Sequence, residues 1–236
     1  MEAKSGIRPY QVSGGALPRY QTERSGCVDL CFLHGPDGDW PGIKGSIQAW
    51  KALESLYRKG AIRALGVSNF SPEQVRQLIA AVDVTPHVVQ NKWSLYHRGI
   101  SPPSDPQGGA SNADVFASMG IAMMGYCALD CYPHVLDPLN DTFVKWVGKR
   151  RAKTPAQVLL RHALQHGTAV IPKSVNPSRL EENAALGWGL SPAEMALMDS
   201  LVWLSAVKER PEFAEDALGV DGSRVVETRA PRREEL

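Results

Sequence analysis

Apolar and polar positions along the chain fall into blocks that predict strands and helices in turn. Five short, mostly apolar runs have the length and composition of buried parallel strands: residues 27–34, 62–68, 88–91, 121–126 and 169–171. Between these runs, apolar residues recur every three or four positions, which is typical of amphipathic helices. The last clear helix covers residues 192–205. Strands alternating with helices imply parallel βαβ units, and therefore an α/β fold that is either an open doubly wound sheet or a barrel. Pattern alone does not separate the two.

The flanks of this α/β pattern have a different composition. Residues 1–26 are rich in glycine, proline and polar residues without apolar periodicity, and they predict an irregular N-terminal segment. Residues 206–236 mix charges with proline and predict a loosely docked C-terminal tail. The ordered domain is therefore expected over residues 27–205.

Three of the predicted helices begin with the same local signal. Ser71, Thr154 and Ser191 are each followed by proline and, three positions on, by glutamine or glutamate. This spacing predicts a capping box, in which the cap side chain and the third helical side chain each bind the other's backbone amide. A fourth helix start, Asn176-Pro177-Ser178-Arg179, carries arginine where the other three carry an acceptor.

That arginine changes what the fourth helix start can bind. A cation in the first turn opposes the helix macrodipole and costs about a few tenths of a kcal/mol. Lys173, Arg179 and the first amides of the helix could together hold a phosphate, because the amides at a helix N-terminus have no partners within the helix. The alternative is a solvated Arg179 paired with Glu182. Both readings stay open from the stretch alone.

Composition excludes several classes of partner. The 236 residues carry 26 basic and 25 acidic side chains, so no overall field draws the chain to nucleic acid or to an anionic membrane. No run approaches 18 consecutive apolar residues, and the first ten residues lack the apolar core of a secretory signal. These features predict a soluble cytoplasmic protein that has neither nucleic-acid nor membrane partners.

The four cysteines do not predict a metal site. Cys27 and Cys31 lie along a predicted strand, about 13 Å apart at 3.3 Å per residue, which is too far to share one ion. Cys127 and Cys131 flank a loop without further cysteine or histidine at ligand spacing. All four are expected to be free thiols.

The stretch Ile171 to Asn183, IPKSVNPSRLEEN, closely resembles the cofactor-binding signature of the aldo-keto reductases. The resemblance implies an NADP(H)-dependent oxidoreductase on a (β/α)8 TIM barrel. It covers about residues 27–205, so that the five predicted strands match the family's fourth to eighth and the barrel is incomplete. It also implies a role for five side chains of this stretch. Lys173, Ser174 and Arg179 would bind the adenosine 2′-phosphate, with Glu182 and Asn183 at the adenine.

Polar residues at the other strand ends extend the resemblance. GVSNF with Ser68 and Asn69, and VVQN with Gln90, resemble the family's carboxamide-binding motifs, and hydroxyls and amides are suited to a neutral carboxamide. Tyr126 matches the tyrosine that stacks on nicotinamide, and His34 the histidine that orients the substrate carbonyl. Taken singly, each has a structural alternative, as a turn residue, a core aromatic or a loop histidine.

The family's remaining catalytic groups are an aspartate, a tyrosine acting as general acid and a lysine that lowers the pKa of that tyrosine. All three come from the first three βα units. Only 33 residues precede His34, whereas one βαβ unit needs about 30. Tyr10, Tyr20 and Lys4 are present, but no apolar strands accompany them. Without the acid, a rate factor of about 10²–10⁴ is lost.

The expected function is therefore NADPH-dependent hydride transfer to an aldehyde or ketone, or the reverse alcohol oxidation, with weak or lost turnover. Three alternatives stay open. The chain could be a non-catalytic NADP(H)-binding or interaction protein, an N-terminally truncated piece of a longer active reductase, or a barrel whose phosphate site takes an unrelated substrate. An incomplete barrel also exposes two sheet edges, which predicts self-association.

Overall fold

The fold is built on one sheet of five parallel strands. A computed structural model describes residues 27–36, 43–96, 112–129 and 137–209, with only the backbone from residue 202 onward. The strands are β1 (Cys31–Leu33), β2 (Leu65–Ser68), β3 (Val88–Lys92), β4 (Ala122–Tyr126) and β5 (Thr168–Val170). They pair in the order β1-β2-β3-β4-β5, and every pair is parallel.

This strand order decides between the two folds that the sequence left open. A doubly wound sheet reverses direction at a switch point, whereas here every crossover steps to the next neighbour in chain order. Crossovers that are all right-handed and all step the same way place their helices on one face of the sheet, as in a barrel. Within the described residues the sheet is open, with β1 and β5 each paired on one side. The expectation of an incomplete (β/α)8-type barrel is confirmed.

The helices follow the predicted pattern closely. They are α1 (Lys44–Arg58), α2 (Pro72–Ile79), α3 (Asn112–Ser118), α4 (Thr142–Arg151), α5 (Pro155–Gln165), α6 (Pro177–Ala184) and α7 (Pro192–Glu209). Three elements differ from the expectation by several residues. The first two strands are shorter, since Val28 and Ile62 form only an isolated bridge before β1 begins at Cys31 and β2 begins at Leu65. Helix α7 continues to Glu209 and so crosses the boundary that composition placed at residue 206.

Two apolar clusters hold the helices in place. The larger one packs α1, α2 and α3 against the sheet and includes Trp50, Phe70, Val89 and Phe116, all fully buried. The smaller cluster joins α4, α5 and α7; its buried members are Leu95, Val144, Val147, Val158, Leu159, Leu190 and Met198. Burying a large apolar side chain contributes roughly 1.5–3 kcal/mol. These clusters therefore fix the strand ends that the site depends on.

The three predicted capping boxes are confirmed. At α2 and α5, the cap hydroxyls of Ser71 and Thr154 accept from the backbone amide three residues on, and glutamine side chains accept from the cap amides in return. At α7, the amide of Glu194 donates to Ser191 Oγ at 3.3 Å, and the Ser191 amide donates to the glutamate carboxylate at 2.7 Å. The Ser/Thr-Pro-x-Gln/Glu spacing was thus sufficient to locate each helix start.

The cysteine expectation was correct in part. Cys27 and Cys31 are thiols outside any disulfide, as predicted. Cys127 is disulfide-bonded, so the expectation of a free thiol there was wrong. The sequence argument considered only metal-ligand spacing, whereas a disulfide depends on how closely two thiols approach in space, which sequence separation does not give. Cys131 lies outside the described residues. Among the described helices, none combines the length and apolar character that crossing a membrane requires.

Candidate functional site

The polar strand ends meet at one edge of the sheet. Register pairs Ser68 at the end of β2 with Gln90 in β3, and Lys92 at the end of β3 with Tyr126 at the end of β4. His34 follows β1 directly. Because all strands are parallel, their carboxyl ends lie on the same side, where the working residues of α/β barrels gather.

Asn69 connects these strand ends. It has a φ of 63°, in the left-handed region that asparagine tolerates better than most residues. Its Nδ2 donates to the carbonyl of His34 at 2.8 Å, and its Oδ1 accepts from the hydroxyl of Tyr126 at 2.7 Å. Its backbone amide donates to the carbonyl of Gln90 at 3.1 Å. One residue thereby ties the ends of β1, β3 and β4 to that of β2.

Ser68 and Gln90 provide neutral polar groups beside it. Ser68 is only 2% exposed, and its Oγ donates to the carbonyl of Gln90 at 2.8 Å, which leaves the hydroxyl oxygen able to accept. Gln90 Nε2 donates to Met124 Sδ at 3.3 Å, and a thioether sulfur is a weak acceptor. An amide oxygen of a ligand would be the stronger partner for that N–H. The hydroxyl and amides therefore fit a neutral carboxamide.

Tyr126 is half-buried, and burial raises the pKa of its phenol, so the group is neutral at physiological pH. It can therefore keep donating its proton to Asn69 while presenting a ring face. His34 is exposed at the mouth of this edge. The geometry brings Tyr126, Asn69, Ser68 and Gln90 together directly, and His34 through its backbone carbonyl.

Burial alternates along the strands and separates two faces of the sheet. Val89 and Asn91 are buried toward the helices, whereas Gln90 and Lys92 are half-buried on the opposite face. Lys92 was not anticipated from the sequence. The signal was present, because a residue two positions beyond Gln90 on the same strand must share its face. The site face therefore carries a cation next to Tyr126 in register.

The second part of the predicted site lies between β5 and α6. Lys173 and Arg179 are exposed, and none of the residues of α6 is buried. Asn176 caps the helix as predicted, its Oδ1 accepting from the amides of Ser178 at 3.0 Å and Arg179 at 3.4 Å. The idea of free first-turn amides was therefore wrong, because the cap side chain occupies two of them. What remains for an anion is the pair of side-chain cations.

Glu182 has a different partner from the one considered. Its carboxylate accepts from the hydroxyl of Thr154, and its backbone carbonyl accepts from Gln157 Nε2 at 3.1 Å. The ion pairs of the described residues do not include one between Arg179 and Glu182. The glutamate thus fastens α6 to the start of α5, and the guanidinium stays available to solvent or ligand.

Ser174 and Asn183 complete this stretch. Ser174 Oγ accepts from the amide of Asn176 at 3.1 Å, which shapes the turn into α6, and Asn183 is half-buried near the end of the helix. A cationic pair on an exposed turn suits a phosphate, and the amides at the strand ends suit a carboxamide. These are the kinds of donor that a nicotinamide dinucleotide requires.

Comparison with known proteins gives the same assignment for fold and family. The model of the aldo/keto reductase family matches residues 17–130. Morphine 6-dehydrogenase of Pseudomonas putida is 35% identical over 175 residues, which cover 74% of this chain and 58% of that protein. Aldo-keto reductase family 1 member A1 of Bos taurus is 34% identical over 214 residues, covering 84% of this chain and 63% of that protein.

Solved structures agree on the fold. The crystal structure of an aldo/keto reductase from Brucella melitensis is similar with a TM-score of 0.62 and 25% identity, over 75% of this chain and 62% of that chain. The chain therefore spans about three fifths of the length of the relatives it matches.

Proposed function

The chain belongs to the aldo/keto reductase family of oxidoreductases, and from that premise we propose that it binds NADP(H) for hydride transfer to an aldehyde or ketone. Members of this family use nicotinamide cofactors. Hydride supply is the chemistry that NADPH would bring to the site. The observation that carries the proposal is the single hydrogen-bonded set at the strand ends, in which Asn69 links His34 and Tyr126.

We assign the strand-end residues to the carboxamide. Ser68, Asn69 and Gln90 would hold it through neutral hydrogen bonds, and Tyr126 would cover the ring with its own face. Fixing the carboxamide fixes which face of the ring is presented, so these side chains orient rather than react. His34 would hydrogen-bond the substrate carbonyl at the mouth of the same edge.

We assign the β5–α6 turn to the phosphate end. Lys173, Ser174 and Arg179 would bind the 2′-phosphate, with Glu182 and Asn183 toward the adenine. A hydrogen bond to a charged group contributes about 1.5–3 kcal/mol, so losing the 2′-phosphate contacts would cost about 10- to 100-fold in affinity. The proposal therefore includes preference for NADPH over NADH.

We propose weak turnover for the chain as described. A general acid must stand within hydrogen-bond reach of the carbonyl oxygen. The tyrosines in the described ranges are engaged elsewhere: Tyr126 donates to Asn69, Tyr96 donates to Asp141 at 2.6 Å, and Tyr57 packs against His87. The described residues thus provide cofactor orientation without an evident proton donor for the substrate.

Cofactor binding by the purified chain tests the proposal. We expect NADPH to quench tryptophan fluorescence saturably, with NADH about 10- to 100-fold weaker, and a panel of aldehydes and ketones to be reduced slowly. Tight NADPH binding without any reduction would instead favour the second candidate function, that of a non-catalytic NADP(H)-binding protein. Absence of NADPH binding by a folded chain would refute both.

We also propose that the chain self-associates through the edges of the sheet. Within the described residues, β1 and β5 are each paired on one side only, and unpaired edge groups favour pairing with another chain. Ala169 is exposed in β5, and Ala169→Lys would place a charge on that edge. Sedimentation at several concentrations should show association that this variant weakens; a strictly monomeric wild type would contradict it.

A cytoplasmic location remains part of the proposal, and the disulfide at Cys127 makes it testable. Reducing compartments keep most protein thiols reduced. Alkylation of freshly lysed cells followed by mass spectrometry should find Cys127 largely reduced if the protein is cytoplasmic. A fully oxidised Cys127 would instead argue for an oxidising compartment.

A further inference from the structure

Two histidines and an aspartate converge between two of the helices that cover the sheet. His162 and His166 lie one turn apart on α5, and Asp199 lies on α7. Both imidazole Nε2 atoms are 2.8 Å from the same carboxylate oxygen, Asp199 Oδ1, and they are 3.2 Å from each other. In the described part of the chain, no other group of histidine, cysteine, aspartate or glutamate side chains converges in this way.

Hydrogen bonding alone accounts poorly for this triangle. Two Nε2–H donors would have to point at one oxygen, and sides of 2.8, 2.8 and 3.2 Å make the angle at that oxygen well under a right angle. Acceptor lone pairs diverge more widely than that, so the two protons would be crowded against each other. A single cation in place of both protons removes the crowding.

The spacing suits a tetrahedral ion. Zinc bound at about 2.0–2.1 Å from nitrogen and 2.0–2.2 Å from oxygen holds its ligand atoms roughly 3.3 Å apart. The two nitrogens already have nearly this separation, and Asp199 would need to retreat by about half an ångström. Histidines four residues apart on a helix present both imidazoles on one face, as zinc-binding helices do.

Burial gives the site a rigid side and an open side. The side chain of His162 is fully buried, whereas those of His166 and Asp199 are 16% and 34% exposed. The indole of Trp93 packs against both imidazoles, with ring centroids 5.5 and 5.8 Å away, and limits their rotation. The exposed side allows entry of an ion and leaves room for a water as fourth ligand.

We propose that His162, His166 and Asp199 form a binding site for a divalent transition metal of the zinc class, which clamps α7 onto α5. Two imidazoles and one carboxylate favour Zn²⁺ or Co²⁺ over the oxygen-preferring Mg²⁺ and Ca²⁺. None of these three residues belongs to the proposed cofactor site, so the metal site can be tested separately from the proposed function.

The test uses the full chain, stripped of metal by a chelator. We expect one equivalent of Co²⁺ to give the intense visible absorption of a four-coordinate ion, and Zn²⁺ to displace it. Zn²⁺ should also raise the midpoint of thermal unfolding, because a ligand that binds only the folded state stabilises it. Mg²⁺ should do neither.

Asp199→Asn is the decisive variant. Its amide oxygen can still accept from the imidazoles but is a weak metal ligand, so Zn²⁺ affinity should fall by about 10- to 100-fold or more. Asp83→Asn is the matched control, since Asp83 is a surface carboxylate that pairs with Arg58. His166→Gln should abolish the Co²⁺ absorption.

The outcomes separate the metal site from a hydrogen-bonded cluster. Equal Zn²⁺ affinity in wild type, Asp199→Asn and Asp83→Asn would overturn the proposal, as would a wild-type Co²⁺ complex without the four-coordinate absorption. That spectrum is measured on the unaltered chain, so the proposal can be refuted even if a histidine variant does not fold.

Discussion

The hydroxyl of Tyr126 donates to Asn69 Oδ1 at 2.7 Å although 57 residues separate them in sequence. Asn69 also donates to the carbonyl of His34, so its side chain spans from the end of β1 to the end of β4. A residue in a left-handed conformation, at the end of β2, thus holds the candidate carboxamide site together.

Substituting Asn69 should separate two contributions to the free energy of unfolding, that of its side-chain hydrogen bonds and that of its left-handed backbone. Asn69→Gly keeps the positive φ at no steric cost but loses both side-chain hydrogen bonds, and we expect it to lower the free energy of unfolding by about 1–3 kcal/mol. Asn69→Ala loses the same bonds and adds about 1 kcal/mol of backbone strain. Urea denaturation of both variants measures the difference. Equal stability of the two would mean that the left-handed backbone is not strained for alanine.

Arg179 should discriminate between the cofactors. Arg179→Ala is expected to weaken NADPH binding by about 10-fold or more and to leave NADH binding nearly unchanged, because only NADPH carries the 2′-phosphate. Arg76→Ala on α2 is a matched control, since Arg76 is an exposed helical arginine that pairs with Glu73. Fluorescence titration with both cofactors measures the ratio. A parallel loss for NADH would refute phosphate recognition by this residue.

Glu194 should make stability depend on acid pH. Hydrogen bonds from Arg151 hold the pKa of Glu194 down to about 2, below the usual glutamate value of about 4.3. A depressed carboxyl pKa stabilises the folded state fully above the unfolded-state pKa, and the contribution is lost as pH falls toward 2. Wild-type stability should therefore decline between about pH 4.5 and 2.

Glu194→Gln isolates this effect. The variant should lose about 1–3 kcal/mol of stability at neutral pH, because Arg151 and the cap of α7 lose a charged acceptor. The difference from wild type should shrink on acidification. Glu73→Gln, whose carboxylate is exposed, is the control and should change little. A pH-independent difference between Glu194→Gln and wild type would contradict the assignment.

Gly66 should not tolerate a side chain. A Cβ at this position in β2 would lie 2.5 Å from the ring of Phe32 and 2.9 Å from the carbonyl oxygen of Val88. The ring can move but the backbone oxygen cannot, so Gly66→Ala is expected to destabilise by about 1–3 kcal/mol. At Gly187 a Cβ meets nothing within 4 Å, which makes Gly187→Ala the control. Equal midpoints of thermal unfolding for the two variants would contradict this prediction and show that β1 shifts to accommodate the added methyl group.

Much of the fold was predictable because its signals are local. Strand ends were marked by polar residues, and helix starts by the pattern that begins at Ser71, Thr154 and Ser191. The strand order was not predictable from such signals, because βαβ units are compatible with both a barrel and a doubly wound sheet. The strand order depends on which distant segments pair, and that is seen only in the structure.

The polar residues at the strand ends and helix starts were visible in the sequence, but their contacts were not. Glu182 was expected to face Arg179 or a ligand, yet it binds Thr154, 28 residues away, which only packing of α6 on α5 could bring near. Similarly, the spacing of His162 and His166 is visible in the sequence, but Asp199 joins them through helix packing. Local patterns identify the polar side chains, and tertiary structure determines which of them pair.

Because the strand order in the sheet equals the chain order, the sheet can assemble strand by strand from β1 to β5. Each of the five described strands pairs with its neighbours in chain order, so during synthesis every new strand meets an edge that has already emerged. The strand-end cluster is complete once Tyr126 has been released, whereas Lys173 follows about 50 residues later, a delay of seconds at typical elongation rates of about 5–20 residues per second. A nascent chain would therefore hold the proposed carboxamide half of the candidate site before the proposed phosphate half exists.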